Sequence, residues 1–114
     1  MVTIDQAKKM ALSLPETEEK RHFHIPDFRV RNKIFATIHE DKNYMMVGLS
    51  LIDQSVFCAF SKEIIFPVPG GWGLKGATFI NLKKVKKVML KDALITAWKK
   101  AASVKMTEKY FGKE

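Results

Sequence analysis

Residues 18–49 read EEKRHFHIPDFRVRNKIFATIHEDKNYMMVGL, and apolar and polar side chains trade places there at about every second position. Phe23 and Ile25 alternate with His22 and His24, then Phe28 and Val30 with Arg29 and Arg31. Residues 34–39 and 44–49 read as two further strands. A period of two turns one face of a strand to a core and the other to water. The breaks between runs are short. Pro26-Asp27 predicts a turn because proline fixes φ, and Asn32-Lys33 predicts another because asparagine tolerates left-handed geometry. Residues 40–43 are polar and form a third. Four strands joined this tightly make an antiparallel meander.

Helical signals flank the meander. Thr3-x-x-Gln6 is a capping box, and Ile4, Ala7, Met10, Ala11 and Leu14 follow at helical spacing until Pro15. Ser50-x-x-Asp53 starts a second helix, whose buried face is expected to be Ile52, Val56, Ala59 and Phe60, ending near Lys62. Residues 64–68 return to strand, a glycine-rich loop occupies 69–76, and residues 77–82 form a sixth strand. Leu90, Leu94, Ala97, Trp98, Ala101 and Val104 then mark one face of a last helix. The predicted order is α-β-β-β-β-α-β-β-α, an α/β (α+β) fold with a twisted antiparallel sheet of about six strands packed by helices. The 114 residues fit one domain spanning 1–114.

Charge is unevenly placed. The net charge is +8, yet residues 1–57 hold eight Lys/Arg against eight Asp/Glu, and residues 58–114 hold twelve lysines against four acids. A one-sided positive field attracts polyanions, whereas a solubilising lysine surface is the plainer alternative. The single cysteine, Cys58, allows no intramolecular disulfide and sits in an apolar run. The first residues lack the pattern of a secretory signal, and no apolar run approaches the ~20 residues of a membrane span. These features point to the cytoplasm and away from a membrane, with the chain a monomer or weak dimer.

The chemical motifs are sparse. Gly71-Trp72-Gly73-Leu74-Lys75-Gly76 matches G-x-G-x-x-G, but a dinucleotide fingerprint must open a helix, and here a strand follows. Trp72 is expected to fold back over the core; the alternative leaves it exposed beside Lys75, where it could stack on a base. His22-x-His24 could share a metal only with a third ligand, His39 or Cys58, so no metal site is expected. No nucleophile–base set and no carboxylate pair specifies catalysis, so neither an enzyme nor a cofactor is expected. Arg29, Arg31 and Lys33 come from one hairpin. Lys83, Lys84, Lys86 and Lys87 lie where the last strand leads into the last helix. If both groups border one surface, they form a phosphate-binding stripe that is weak, salt-sensitive and indifferent to sequence.

Several segments together resemble the MmcQ/YjbR family. They are Asp27-Phe28-Arg29-Val30-Arg31-Asn32-Lys33-Ile34-Phe35-Ala36, Gly71-Trp72-Gly73, Thr78-Phe79-Ile80-Asn81-Leu82 and Asp92-Ala93-Leu94-Ile95-Thr96-Ala97-Trp98. The resemblance runs from the first helix to about Met106. It implies a CyaY-like (frataxin-like) sandwich and a double-wing DNA-binding protein, with the wings at residues 29–33 and 69–76. A frataxin-type iron function would want an acidic helix, and Lys8 and Lys9 beside Asp5 disfavour it. The functional expectation is therefore nucleic-acid binding, DNA before RNA, through Arg29, Arg31, Lys33, Trp72, Lys75, Lys83, Lys84, Lys86 and Lys87. The alternatives are a protein-interaction module with a solubilising lysine surface, or a binder of small anionic ligands at a pocket near Trp72, Tyr44 and His22.

Overall fold

The structure, a computed structural model, describes residues 1–112; Lys113 and Glu114, the last two of the expected domain, lie outside the described residues. The elements run α1 (Ile4–Leu12), β1 (Thr17–His22), β2 (Ile25–Val30), β3 (Lys33–His39), β4 (Tyr44–Gly48), α2 (Leu51–Cys58), β5 (Ile65–Pro67), α3 (Gly71–Leu74), β6 (Ala77–Asn81), α4 (Lys87–Ala101) and α5 (Val104–Phe111). All six strands join one antiparallel sheet in the order β1-β2-β3-β4-β6-β5. The first four follow the chain because tight turns join them. After α2 the chain returns at the far edge as β5, and β6 fills the slot beside β4.

Three helices, α1, α2 and α5, start where a side chain accepts an orphan backbone N–H. Thr3 Oγ1 accepts from Gln6 N at 3.1 Å, and Gln6 Oε1 accepts from Thr3 N at 3.0 Å, completing the capping box. Ser50 caps α2 through Asp53 N at 3.1 Å, and Ser103 caps α5 through Met106 N at 3.2 Å. Each cap contributes about 1 kcal/mol. The α4 helix crosses β3 and β4 with Leu90, Ala93, Leu94, Ala97 and Trp98 buried. Phe28, Val30, Phe35, Ile38, Met45, Val47 and Ile80 rise from the sheet to meet the helical layer. Trp98 anchors it: its Nε1–H donates to Pro15 O at 2.9 Å, tying α4 to the link between α1 and β1.

Four local expectations need correction. The first turn is Phe23-His24, not Pro26-Asp27; both Pro26 and Asp27 lie inside β2 and are buried. The second is Arg31-Asn32, one residue earlier than Asn32-Lys33. In each pair both residues have positive φ (51° and 67°, then 47° and 71°), the left-handed geometry that suits a two-residue hairpin to strand twist. The α2 face holding Ile52, Val56, Ala59 and Phe60 is exposed, and the helix buries Gln54 and half-buries Phe57 and Cys58 instead. Finally, the last helix breaks after Ala101, because the Ser103 cap starts a new one. Val104 is exposed on α5, which turns back so that Tyr110 and Phe111 meet the Trp98 ring at 6.3 and 5.2 Å between centroids.

Both sheet edges are blunted. Most of the β1 edge is charged and exposed. On β5, the register turns the backbone of residues 65 and 67 outward, since Asn81 N donates to Ile64 O and Val68 N to Ala77 O. The Ile65 N–H is used by Ser61 O at 2.9 Å, and Pro67 has no N–H to offer.

The open sheet face and its candidate binding trough

The helices cover one face of the sheet, and the other stays open. Cross-strand pairing sets Lys20, Asp27, Thr37, Met46, Phe79 and Phe66 side by side across it. Beside this row, rings gather on β3 to β6. The Phe79 centroid lies 5.2 Å from that of His39, 5.3 Å from Tyr44 and 6.1 Å from Phe66, mostly edge to face. A trough of about 360 Å³ opens on this face, floored by Ile25, Ile34, Met46, Val68 and Phe79, with Trp72 on its wall.

Few polar groups enter the trough, and three of them, Asp27, Thr37 and His39, are internally bonded. Asp27 is fully buried and accepts from Arg29 Nε at 2.8 Å and Nη2 at 3.2 Å. Pairing of both carboxylate oxygens with the guanidinium keeps a charge at this depth tolerable. The hydrogen bonds that Arg29 donates to Asp27 hold its pKa above the ordinary value, against the opposing effect of burial. His39 Nε2 lies 3.0 Å from Thr37 Oγ1. Burial, with Lys42 adding to it and Asp41 opposing, lowers the His39 pKa and favours the neutral ring.

Trp72 does not fold back over the core. Its residue is 72% exposed on the single turn of α3, and Lys75 Nζ lies 5.9 Å from the ring centroid. Two of the glycines around it, Gly73 and Gly76, are needed for packing. A Cβ on Gly73 would collide with the Val68 carbonyl, and one on Gly76, where φ is 109°, with the Leu49 carbonyl. Gln54 fastens the turn from beneath: its Nε2 donates to Gly73 O at 3.0 Å and lies 3.2 Å from both Ala77 O and Thr78 Oγ1. Two of the three glycines of the G-x-G-x-x-G spacing, Gly73 and Gly76, are thus accounted for by one segment pressing against its neighbours, with no phosphate required.

The remaining candidates do not converge. Arg29 is on the open face but engaged by Asp27. Arg31 sits in the β2–β3 turn, its Nε 3.2 Å from Glu16 Oε1. Lys33 borders a different hollow, shared with Lys100 on the α4 side. Strand pairing puts residues 31–33 and 72–75 at one end of the sheet, and Lys83, Lys84, Lys86 and Lys87 at the other. The length of β6 separates the two ends, about 16 Å for five residues. Only Trp72 and Lys75 form a joint feature. Sequence reasoning named Tyr44, His22 and Trp72 near one pocket but missed Met46 and Phe79. Thr78, Phe79 and Ile80 offer no clear alternation, so nothing in the residues says which side faces out.

Among the described residues, no group of three or more His, Cys, Asp or Glu side chains could hold a metal ion. No described helix is long and apolar enough to cross a membrane.

Comparison with known proteins agrees with this architecture. Among solved structures, the chain is similar to the Deinococcus radiodurans protein DR2400, described as having a DUF419 domain. The TM-score is 0.77 at 16% identity, covering 96% of this chain and 88% of that one, which establishes likeness of fold alone. No curated protein matches the chain. The YjbR family model matches residues 12–100, from the end of α1 through β1 to β6 and nearly all of α4. The six-stranded open sheet with its helical layer is therefore the fold of this family, and the chain belongs to the YjbR family.

Proposed function

We propose that this protein binds single-stranded nucleic acid, DNA in the first instance, by seating unpaired bases in the trough of the open sheet face. The observation that carries the reading is the exposed Trp72, with the Lys75 ammonium beside its ring, at the wall of an apolar trough backed by aromatic rings. A base has an apolar face that stacks on such a wall, and a neighbouring ammonium meets its phosphate. Lys42, whose Nζ lies 5.8 Å from the Phe79 ring centroid on the same face, supplies a further phosphate contact. The chemistry is binding without reaction.

The scattered lysines favour stacking over a phosphate stripe as the source of affinity. With two or three phosphates neutralised, log K falls with a slope of about −1.4 to −2 against log salt for a single strand. Replacing Lys83, Lys84, Lys86 and Lys87 together leaves that slope unchanged. The test is a tryptophan-quenching titration with single- and double-stranded oligonucleotides at two salt concentrations. Trp98 is fully buried and Trp72 exposed, so quenching reports Trp72. Trp72→Ala should weaken single-strand binding about 5- to 150-fold, the equivalent of 1–3 kcal/mol for one stacked base. Equal affinity of Trp72→Ala and the parent refutes the site, as does a preference for duplex. The trough volume also falls within the usual range for small-ligand sites. A mononucleotide that binds as tightly as the oligomer would reassign the trough to free nucleotides.

A further inference from the structure

The α2 helix is apolar almost all round, yet the folded chain buries only one side of it. Gln54 is buried and Phe57 and Cys58 are half-buried on the core side; Ile52, Val56 and Phe60, spaced four apart, are 78%, 55% and 68% exposed on the other. Leu51 and Ala59 are exposed as well, and Asp53 is the single charge in the helix. A helix of this composition belongs to an interior, and a contiguous apolar patch on a soluble protein marks an interface.

We infer that this face is covered by a second copy of the chain, with the two α2 helices packed antiparallel about a two-fold axis near Val56. An isologous contact requires a surface that is its own complement, and α2 meets that condition in shape and in charge. Leu51 and Ile52 project at its N-terminal end. Beside Phe60, at its C-terminal end, lies a hollow of about 320 Å³ bounded by Ile64, Val85 and Met89, with Lys84 and Lys86 at its rim. Antiparallel pairing about Val56 brings the projecting end of each copy to the hollow of the other. The same operation brings Asp53 of each copy toward the exposed Lys62 of the other. A protein of net charge +8 repels its copy over most of its surface; α2 itself carries no lysine or arginine, while Lys84 and Lys86 at the hollow add a repulsion that keeps the contact weak.

The β5 edge offers no free backbone donor and the β1 edge is charged, which favours a side-chain contact between helices as the route to association. The patch exposes a few hundred Å² per copy, less than the roughly 800 Å² per partner of a standard interface, so the dimer is weak. Because α2 packs on the helical side of the sheet, dimerisation leaves the trough free, and this inference stands independently of the proposed function.

Sedimentation equilibrium over about 10 µM to 1 mM tests it, a range covering the millimolar-to-micromolar affinities of a weak contact. The expected weight-average mass rises from the 13.1 kDa of one chain toward twice that value. Ile52→Glu or Val56→Glu, at exposed positions where the fold tolerates a charge, should weaken association at least tenfold with an unchanged circular dichroism spectrum. In a Cys58→Ala background, Ser55→Cys near the axis should cross-link under mild oxidation, and Glu108→Cys on α5 should not. A monomeric mass throughout the range, association unaffected by either glutamate, or equal cross-linking at both positions each overturns the inference.

Discussion

Replacing Gly76 by alanine should destabilise the protein severely, whereas the same change at Gly71 should not. The two residues close and open the same G-x-G-x-x-G spacing, so a phosphate-cradle role would implicate both. At Gly76, φ is 109° and an added Cβ collides with the Leu49 carbonyl oxygen. Leu49 N–H also donates to Gly76 O at 3.0 Å, so any separation of the two segments loses that bond. The left-handed backbone costs about 1–2 kcal/mol, the hydrogen bond about 1, and the overpacking about 1–3. Together these give roughly 3–6 kcal/mol, or a Tm lower by about 12–24 °C at roughly 4 °C per kcal/mol. At Gly71, φ is not positive and nothing lies within 4 Å of the added Cβ. Alanine there should be neutral or stabilising by up to about 1 kcal/mol, through the lower entropy of the unfolded chain. Urea and thermal unfolding of both variants, followed by circular dichroism, provide the assay. A Gly76→Ala protein within about 0.5 kcal/mol of the parent, or a Gly71→Ala protein as damaged as Gly76→Ala, refutes this account of the loop.

Other consequences can be checked with the same equipment. Trp98→Phe should lose about 2–3 kcal/mol, from the hydrogen bond to Pro15 O and the cavity left by the indole, while single-strand binding at Trp72 is unchanged. Acid should release α5. The hydrogen bond from Tyr110, then that from Arg31, holds the Glu16 carboxyl below its ordinary value of 4.5, so its contribution is present above pH 4.5 and is lost as pH falls through the lowered folded value. Amide exchange in α5 should accelerate over that window in the parent, and Glu16→Gln should abolish the pH dependence. Burial pushes the Cys58 thiol pKa up, so its labelling near pH 8 should be slower than that of a free cysteine and reach the free rate in denaturant.

The elements were legible where local chemistry and tertiary packing agree. Thr3 and Ser50 cap helices as their spacing predicts, and the two-residue period of the meander yields its four strands. The turns slipped because proline and asparagine are turn formers only on average. Pro26 pairs with Arg21 inside a strand, and Phe23 and His24 take left-handed turn geometry despite their bulk. The wrong face was assigned to α2 because Ile52, Val56 and Phe60 are the residues a core would want; one chain leaves them outside. At the site, Trp72 and Lys75 could be paired from sequence because they lie three residues apart. The engagement of Arg29 by Asp27 and of Arg31 by Glu16 could not be anticipated from composition: one pair needs the strand pleat and the other a contact across the sheet end.

The missing amide hydrogen of Pro67 has a consequence for how this protein behaves when crowded. Fibrils grow when a free strand edge templates the backbone of the next molecule, and here a three-residue strand offers the newcomer no unpaired donor at its rim. With the β1 edge charged as well, copies forced together meet through side chains more readily than they ladder. Concentrated solutions should therefore give small, reversible assemblies and no thioflavin-positive fibres, and Pro67→Val is the substitution expected to loosen that restraint.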